Sequence, residues 1–347
     1  MMASAPGIVY PVCRRRTNRP DDISLDRGLP VTHGWKPKVR DALACLRVLA
    51  GGIILAALPV PPARAADSPD TTRVVLLGTG MPAPNHLTQG PATAVVVGPR
   101  IFLFDAGPGV MRQMEAAGLP VRGGPITAVY LTHLHSDHTL GLPDVIFTSW
   151  VMGRKIALPV IGPPGTRAMV EHFDAAWSED IDMRTNGLEH NAPGGWRTDV
   201  RETRGGIVYD SAGVRVRAFP VKHGSWEWAF GYRVDTPGKS IVISGDTAPS
   251  DSLLAAATGV DVLVHEVYPE VRLVPENRPG GDDWPRYMRS FHTSDRELGA
   301  IAARAQPRRL VLTHIVRMGG TDEELERGVR AGGWSGPLAI GRDLDSY

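Results

Sequence analysis

One six-residue stretch constrains this chain more than any other: His133-x-His135-x-Asp137-His138, within "VYLTHLHSDHTLGLPD" (129–144). It follows directly on "ITAVY", whose β-branched and aromatic residues read as a fully buried strand. At alternate positions His133 and His135 project from the strand end, and the turn that follows aims Asp137 and His138 elsewhere. Imidazole and carboxylate groups suit Zn²⁺, with Mn²⁺ or Fe as substitutes. Four such groups in six residues exceed what one segment gives a single metal, which predicts two adjacent ions. A solvated histidine-rich loop is the competing reading; the strand before the motif and the helix-like "TLGLPD" after it weigh against that.

Further ligands stand at other strand ends. His223 closes "RAFPVKHG", Asp246 closes "SIVISGD" and His314 closes "LVLTH". Each alone reads as a capping or core polar residue. Their shared place, at the end of an apolar strand beside small residues, joins them to the motif.

The rest of the chain supplies the frame. "RVVLLGTG" (73–80), "ATAVVVG" (92–98) and "IFLFDAG" (101–107) read as an antiparallel meander, and "VMRQMEAAG" as a helix ended by Gly118. Later strands are predicted in "VRVRAFPVKHG", "FGYRVDT", "KSIVISGDT", "VDVLVHEVY", "RRLVLTHI" and "LAIG", with helices around 250–258, 294–304 and 321–331. The 39 glycines and 30 prolines favour many short elements over a helical bundle. The pattern predicts an α/β (α+β) chain with two sheets face to face and helices outside, one domain from 67 to 347.

Residues 1–66 read as an N-terminal extension ending in a signal peptide. A basic lead precedes the uncharged run at about 48–60, and Ala63-Arg64-Ala65 predicts cleavage near 65/66. The run is short for a membrane span, which needs about 20 residues. The reading implies a periplasmic or secreted protein with no stable membrane anchor after cleavage, and an uncleaved anchor or a buried helix is the alternative. The forty or so residues before the run predict a translation start downstream, at Val31 or Val39. Without residues 1–65, 28 Lys and Arg stand against 33 Asp and Glu, a net charge of −5 against +1 for the whole chain. That balance counts against nucleic acid as a partner. Cys13 and Cys45 both lie in the extension, so the remainder has no disulfide and no cysteine ligand.

The segments "LGTGMPAP", "GPATAVVV", "FLFDAGPG", "LTHLHSDHTLGLPD", "KHGSWEWAFGYRV", "ISGDT", "LVHEVY", "HTS" and "LVLTH" together resemble the metallo-β-lactamase superfamily, in the branch of ribonuclease Z and the zinc arylsulfatases. The resemblance spans most of 74–316 and implies a four-layer αββα sandwich with a two-metal cleft. It implies that His133, His135 and His223 bind one Zn²⁺, that Asp137, His138 and His314 bind the other, and that Asp246 bridges them. Asp105 of "FDAG" would orient a ligand histidine. A hydroxide held between the ions would be the nucleophile, with Asp137 orienting or deprotonating the water. His292 of "FHTS" would protonate the leaving group or steady an oxyanion, and Glu266 of "HEVY" would assist. His265 has an equal claim to a purely structural role.

Ribonuclease Z commonly carries a long tRNA-gripping arm between the equivalents of His223 and Asp246. Here 23 residues separate them and a hairpin uses the interval. With the export signal and the acidic charge, this gives the expectation of an exported hydrolase of a small-molecule ester, a phosphodiester or an aryl or alkyl sulfate. A lactonase or β-lactamase-like acyl hydrolase is the alternative. Ribonuclease Z activity and a non-catalytic metal-binding or ligand-binding protein rank below it. Trp226, Trp228, Trp284, Tyr287 and Phe291 are candidates for an aromatic cleft wall, with core packing at even odds. A homodimer is also expected.

Overall fold

The computed structural model describes residues 71–347. The signal-peptide reading, its cleavage point and the expectation of export fall on residues 1–66 and lie outside the described residues. No helix among the described residues is long and apolar enough to cross a membrane.

Two mixed sheets are built to the same plan. In the first, β1 (Thr72–Gly78), β2 (Ala92–Val97) and β3 (Arg100–Phe104) form the antiparallel meander, and β4 (Ile126–Tyr130), β5 (Leu158–Gly162) and β6 (Thr198–Glu202) continue it in parallel, in the order β1 to β6. In the second, β7 (Gly206–Ser211), β8 (Val214–Pro220), β9 (Phe230–Asp235) and β10 (Ser240–Ile243) run antiparallel. There β11 (Val262–Val267), β12 (Leu310–Ile315) and β13 (Leu338–Ile340) extend the sheet in parallel.

Continuous apolar strands dictate the layering. Successive side chains point to opposite faces, so "VVLL" of β1 must be covered on both. Val74 and Leu76 join Phe102, Tyr130, Val216, Tyr232 and Val264 between the sheets. Val75 and Leu77 instead meet Val110 and Met114 of α1 (Val110–Ala116) and Val145 and Trp150 of α3 (Leu142–Val151). On the far side, α6 (Asp251–Ala257), α8 (Asp295–Ala305) and α9 (Asp322–Ala331) lay Leu253, Leu298 and Leu325 over Val242, Leu263 and Leu312. This is the expected αββα sandwich. Each fully buried Leu, Val or Phe in it contributes about 1.5–3 kcal/mol.

The loops after the parallel strands gather at one edge, and glycine lets them touch. A Cβ on Gly141 would stand 2.2 Å from the Gly107 carbonyl oxygen, so the turn after β3 packs backbone to backbone against the "HTLG" turn. Gly245, with φ +61°, carries the chain over Thr132, where an added Cβ would lie 2.7 Å from the Phe230 carbonyl oxygen. Gly245→Ala therefore combines left-handed strain with a backbone clash, and a loss of about 2–4 kcal/mol is expected in urea denaturation.

Candidate metal centre

The predicted ligands meet at this edge, each delivered by a different connection. β4 ends at Tyr130, and His133 and His135 stand on the loop beyond it. Asp137 and His138 occupy the single-turn helix α2 (Ser136–Thr139), which points them at the same cluster rather than away from it. His223 follows β8, Asp246 follows β10, and His314 sits within β12. Ligating atoms of His133, His135, His223 and Asp246 lie within 4.8 Å of one another, as do those of Asp137, His138 and His314. Asp246 stands between the two groups. Its Oδ1 is 3.3 Å from His138 Nε2, and its Oδ2 is 3.5 Å from His314 Nε2 and 3.9 Å from His133 Nε2.

Outward hydrogen bonds fix which nitrogen faces inward. His133 Nδ1–H donates to Thr132 Oγ1 at 2.9 Å, and that hydroxyl donates on to Asp105. His138 Nδ1–H donates to Asp105 Oδ2 and His223 Nδ1–H to the Phe291 carbonyl, both at 2.8 Å. In each case the Nε2 lone pair is left aimed into the cluster. Asp105 (φ 58°) and His314 (φ 40°) hold left-handed backbone that non-glycine residues rarely adopt, and such strain gathers at functional sites.

The electrostatics fit a cation. Burial pushes His133 and His135 below the ordinary imidazole value and His223 down to about 4, so all three present neutral, metal-ready nitrogens at neutral pH. Burial also opposes the charge on Asp246, but the neighbouring imidazoles, His314 and His138 first, outweigh it and hold the carboxyl well below its usual range; burial likewise opposes the charge on His138, but Asp246 and Asp105 outweigh it and raise that imidazole well above its ordinary value. Asp246 Oδ1 and His138 Nε2 are buried without a hydrogen bond among the described residues. Acceptors facing one another with few donors between them are what a divalent ion would satisfy. One contact is at odds with this: Trp226 Nε1–H donates to His135 Nε2 at 2.8 Å, while His135 Nδ1 faces His133 and His223 at 3.0 and 3.1 Å. Were His135 to give Nδ1 to a metal, its ring proton would sit on Nε2 and the indole would lose that acceptor.

Asp105 touches no candidate ion position, yet it holds the His138 ring and the Thr132 hydroxyl together. Asp105→Asn should weaken metal binding by about 10- to 100-fold, read by competition against a chromophoric chelator.

His292, at the end of α7 (Trp284–Phe291), lines a cleft of about 460 Å³ beside His135, Asp137, Asp246 and His314. Burial opposes its charge, but the Glu266 and Asp246 carboxylates outweigh it and raise its pKa. Glu266 does not line that cleft. It is 1% exposed, accepts from the backbone N–H groups of Thr247 and Thr293 and stands 3.4 Å behind His292 Nδ1. His265 is buried away from the site with Nδ1 on the Glu266 carbonyl oxygen. Of the five aromatic candidates, Trp284 and Tyr287 line the cleft, Phe291 packs edge-on to His223, and Trp226 bonds His135. Trp228 packs against the layer between the sheets, under Arg204. Sequence reasoning missed Thr132 and Arg278, the second of which lines the cleft. A threonine directly before the first histidine was the only signal for the former.

Comparison with known proteins bears on this geometry. A profile described as Beta-lactamase superfamily domain matches residues 100–315. A protein named Ribonuclease Z from Mycobacterium bovis (strain BCG / Pasteur 1173P2) is 39% identical over 283 residues, covering 78% of this chain and 96% of the relative. One of the same name from Mycobacterium tuberculosis (strain ATCC 25618 / H37Rv) is 37% identical over the same length. Among solved structures, human tRNase Z, short form, superposes with a TM-score of 0.59 at 21% identity, covering 79% of this chain and 98% of that one. The metallo-β-lactamase fold protein YhfI from Bacillus subtilis gives 0.59 at 19% identity, covering 80% and 99%.

These relatives, named Ribonuclease Z, correct two expectations: that a small phosphodiester or sulfate ester ranks above RNA as the substrate, and that nucleic acid is an unlikely partner. The arm argument fails because 283 aligned residues against 78% of this chain leave no space for a long insertion in proteins that bear the ribonuclease name. The charge argument fails because a net of −5 is a sum over the whole surface and says nothing of one cleft. By sequence and by fold, this chain belongs to the metallo-β-lactamase superfamily, in the branch of the ribonuclease Z proteins.

Proposed function

We propose that this chain is a metal-dependent ribonuclease that hydrolyses a phosphodiester bond in a tRNA precursor. The observation that carries the reading is the convergence of His133, His135, Asp137, His138, His223, Asp246 and His314 at one cleft in front of His292, in a chain 39% identical to a protein named Ribonuclease Z. His133, His135 and His223 would hold one Zn²⁺, Asp137, His138 and His314 a second, and Asp246 would serve both. Bound there, the ions would supply Lewis-acid charge neutralisation and acidify water for attack on phosphorus.

The chain's own groups do the rest. Asp137 Oδ2, 3.2 Å from His314 Nε2, is held as a carboxylate: burial disfavours its charge, but the bond from His314 and the nearby His138 outweigh that. It would orient the attacking water and accept its proton. His292 would carry a proton to the leaving oxygen, with the Glu266 carboxylate behind it, 3.4 Å from Nδ1, favouring its charged form. Glu266 is a positioning residue, locked by two backbone donors and buried from solvent.

The test is incubation of the zinc-loaded full chain with an end-labelled tRNA precursor carrying a 3′ extension. One discrete cut, abolished by chelator and restored by zinc, is expected. Intact RNA in the presence of a metal-replete protein would refute the reading.

A further inference from the structure

The cleft wall that faces the ligand cluster is a ladder of flat groups. α7 places Trp284, Tyr287 and Phe291 at i, i+3 and i+7, one face of a helix. Trp284 and Tyr287 lie parallel, with centroids 5.4 Å apart and planes 12° apart, and Tyr287 and Phe291 follow at 4.3 Å and 21°. Above them the Arg278 guanidinium carbon sits 4.1 Å from the Trp284 ring centroid. Glu276 Oε2 accepts from Arg278 Nε and an Nη at 3.1 and 2.8 Å and so holds that guanidinium in place. The foot of the ladder is fixed on the candidate metal centre itself, because Phe291 meets the His223 ring edge-on at 4.9 Å. Gly224 makes room for it: at φ +54°, a Cβ there would stand 2.0 Å from the Phe291 ring.

Met81, Pro82, Ala83 and Val316 line the same cleft, with Asp137, Asp246, His292 and His314. Met81, Trp284 and Tyr287 are half-buried and pack against Val316 and Met288. In the ladder Trp284 lies between Arg278 and Tyr287, and Tyr287 between Trp284 and Phe291, so the plane left open at its end is the Arg278 guanidinium, 45% exposed. A flat cation held at the rim of the cleft on a column of rings is suited to a planar aromatic guest. In single-stranded RNA that guest is a nucleobase, whose π-face stacks on Arg planes without regard to sequence.

We propose that the Arg278–Trp284–Tyr287 ladder is the stacking platform for a nucleobase flanking the scissile phosphodiester, setting that phosphate against the ligand cluster. This rests on the reading of the chain as a ribonuclease. It assigns α7 a role in substrate positioning, with local stacking supplying affinity that a net charge of +1 over the whole chain does not.

The experiment pairs the protein with RNA precursors that differ only in lacking the base on one side or the other of the cut, as an abasic ribose. For wild-type protein, kcat/KM should fall about 10- to 100-fold on the abasic RNA at one flanking position. In Trp284→Ala and, independently, in Arg278→Gln, the ratio between the intact and that abasic RNA should shrink toward unity, while Trp284→Phe keeps most of it. Metal content of each variant serves as the folding control. If wild-type protein cleaves RNA but the variants retain the wild-type ratio at both flanking positions, the platform is wrong and the ribonuclease reading stands. If wild-type protein cleaves no RNA, the ribonuclease reading fails and the platform with it.

Discussion

Replacing Asp246 by alanine should lower kcat/KM on an RNA substrate by at least about 10³-fold, because its two oxygens face both halves of the ligand cluster. Bound zinc, measured by atomic emission after gel filtration, should fall with activity. The carboxylate is 3% exposed and stands 3.3 Å from His138 Nε2 and 3.5 Å from His314 Nε2, so its removal takes the neighbouring negative charge from both imidazoles. Breaking such a buried cluster from one side costs about 3–5 kcal/mol in the metal-free protein. Asp246→Asn keeps the shape and should lose activity with a smaller loss of stability. Retention of two zinc ions and near-normal turnover in either variant would remove Asp246 from the centre of the account.

His292→Ala should lower kcat by about 10²- to 10⁴-fold on RNA while leaving zinc content at the wild-type level. The imidazole lines the cleft and is not among the ligands assigned to either ion, although with Asp246, 4.0 Å away, and His314 it forms a third group that could hold a metal. The discriminating readout is the leaving group. An RNA hydroxyl needs a proton as it departs, whereas p-nitrophenolate does not, so the same variant should lose far less on bis-p-nitrophenyl phosphate. Equal losses on both substrates would assign His292 to charge stabilisation or to a metal ligand rather than to proton transfer.

Much of this was legible in the chain because the signals are local. His133 to His138 lie within six residues, and His223, Asp246 and His314 each stand at or near the end of a conspicuous apolar strand. The αββα layering follows from strands such as "VVLL" and "ATAVVV" that are apolar on both faces. Less legible were the elements whose sequences are polar or broken. β5 carries Pro159. α4 (Thr166–Ala176) and α5 (Ser178–Asn186) together bury few residues, and β6 and β7 have mostly exposed or half-exposed side chains. α7 does not show in the sequence because Gly280, Gly281 and Pro285 flank or begin it, and its stripe of Trp284, Tyr287 and Phe291 shows only once the helix is known.

Two roles needed three dimensions. Glu266 reads by sequence as a neighbour of the reaction, but the backbone N–H groups of Thr247 and Thr293 hold it behind His292. The substrate class was misjudged because total charge and one loop length stood in for the surface that meets the substrate, and neither describes the cleft that holds Arg278 and Trp284.

The central claim is that the ligand cluster turns bound metal into RNA cleavage. The most direct measurement is a zinc titration of the chelator-treated full chain, following metal occupancy and cleavage of a 3′-extended tRNA precursor in the same samples. The account predicts no cutting by the metal-free protein and activity that rises to a plateau at two zinc ions per chain. Occupancy reaching two with the RNA still intact would contradict it.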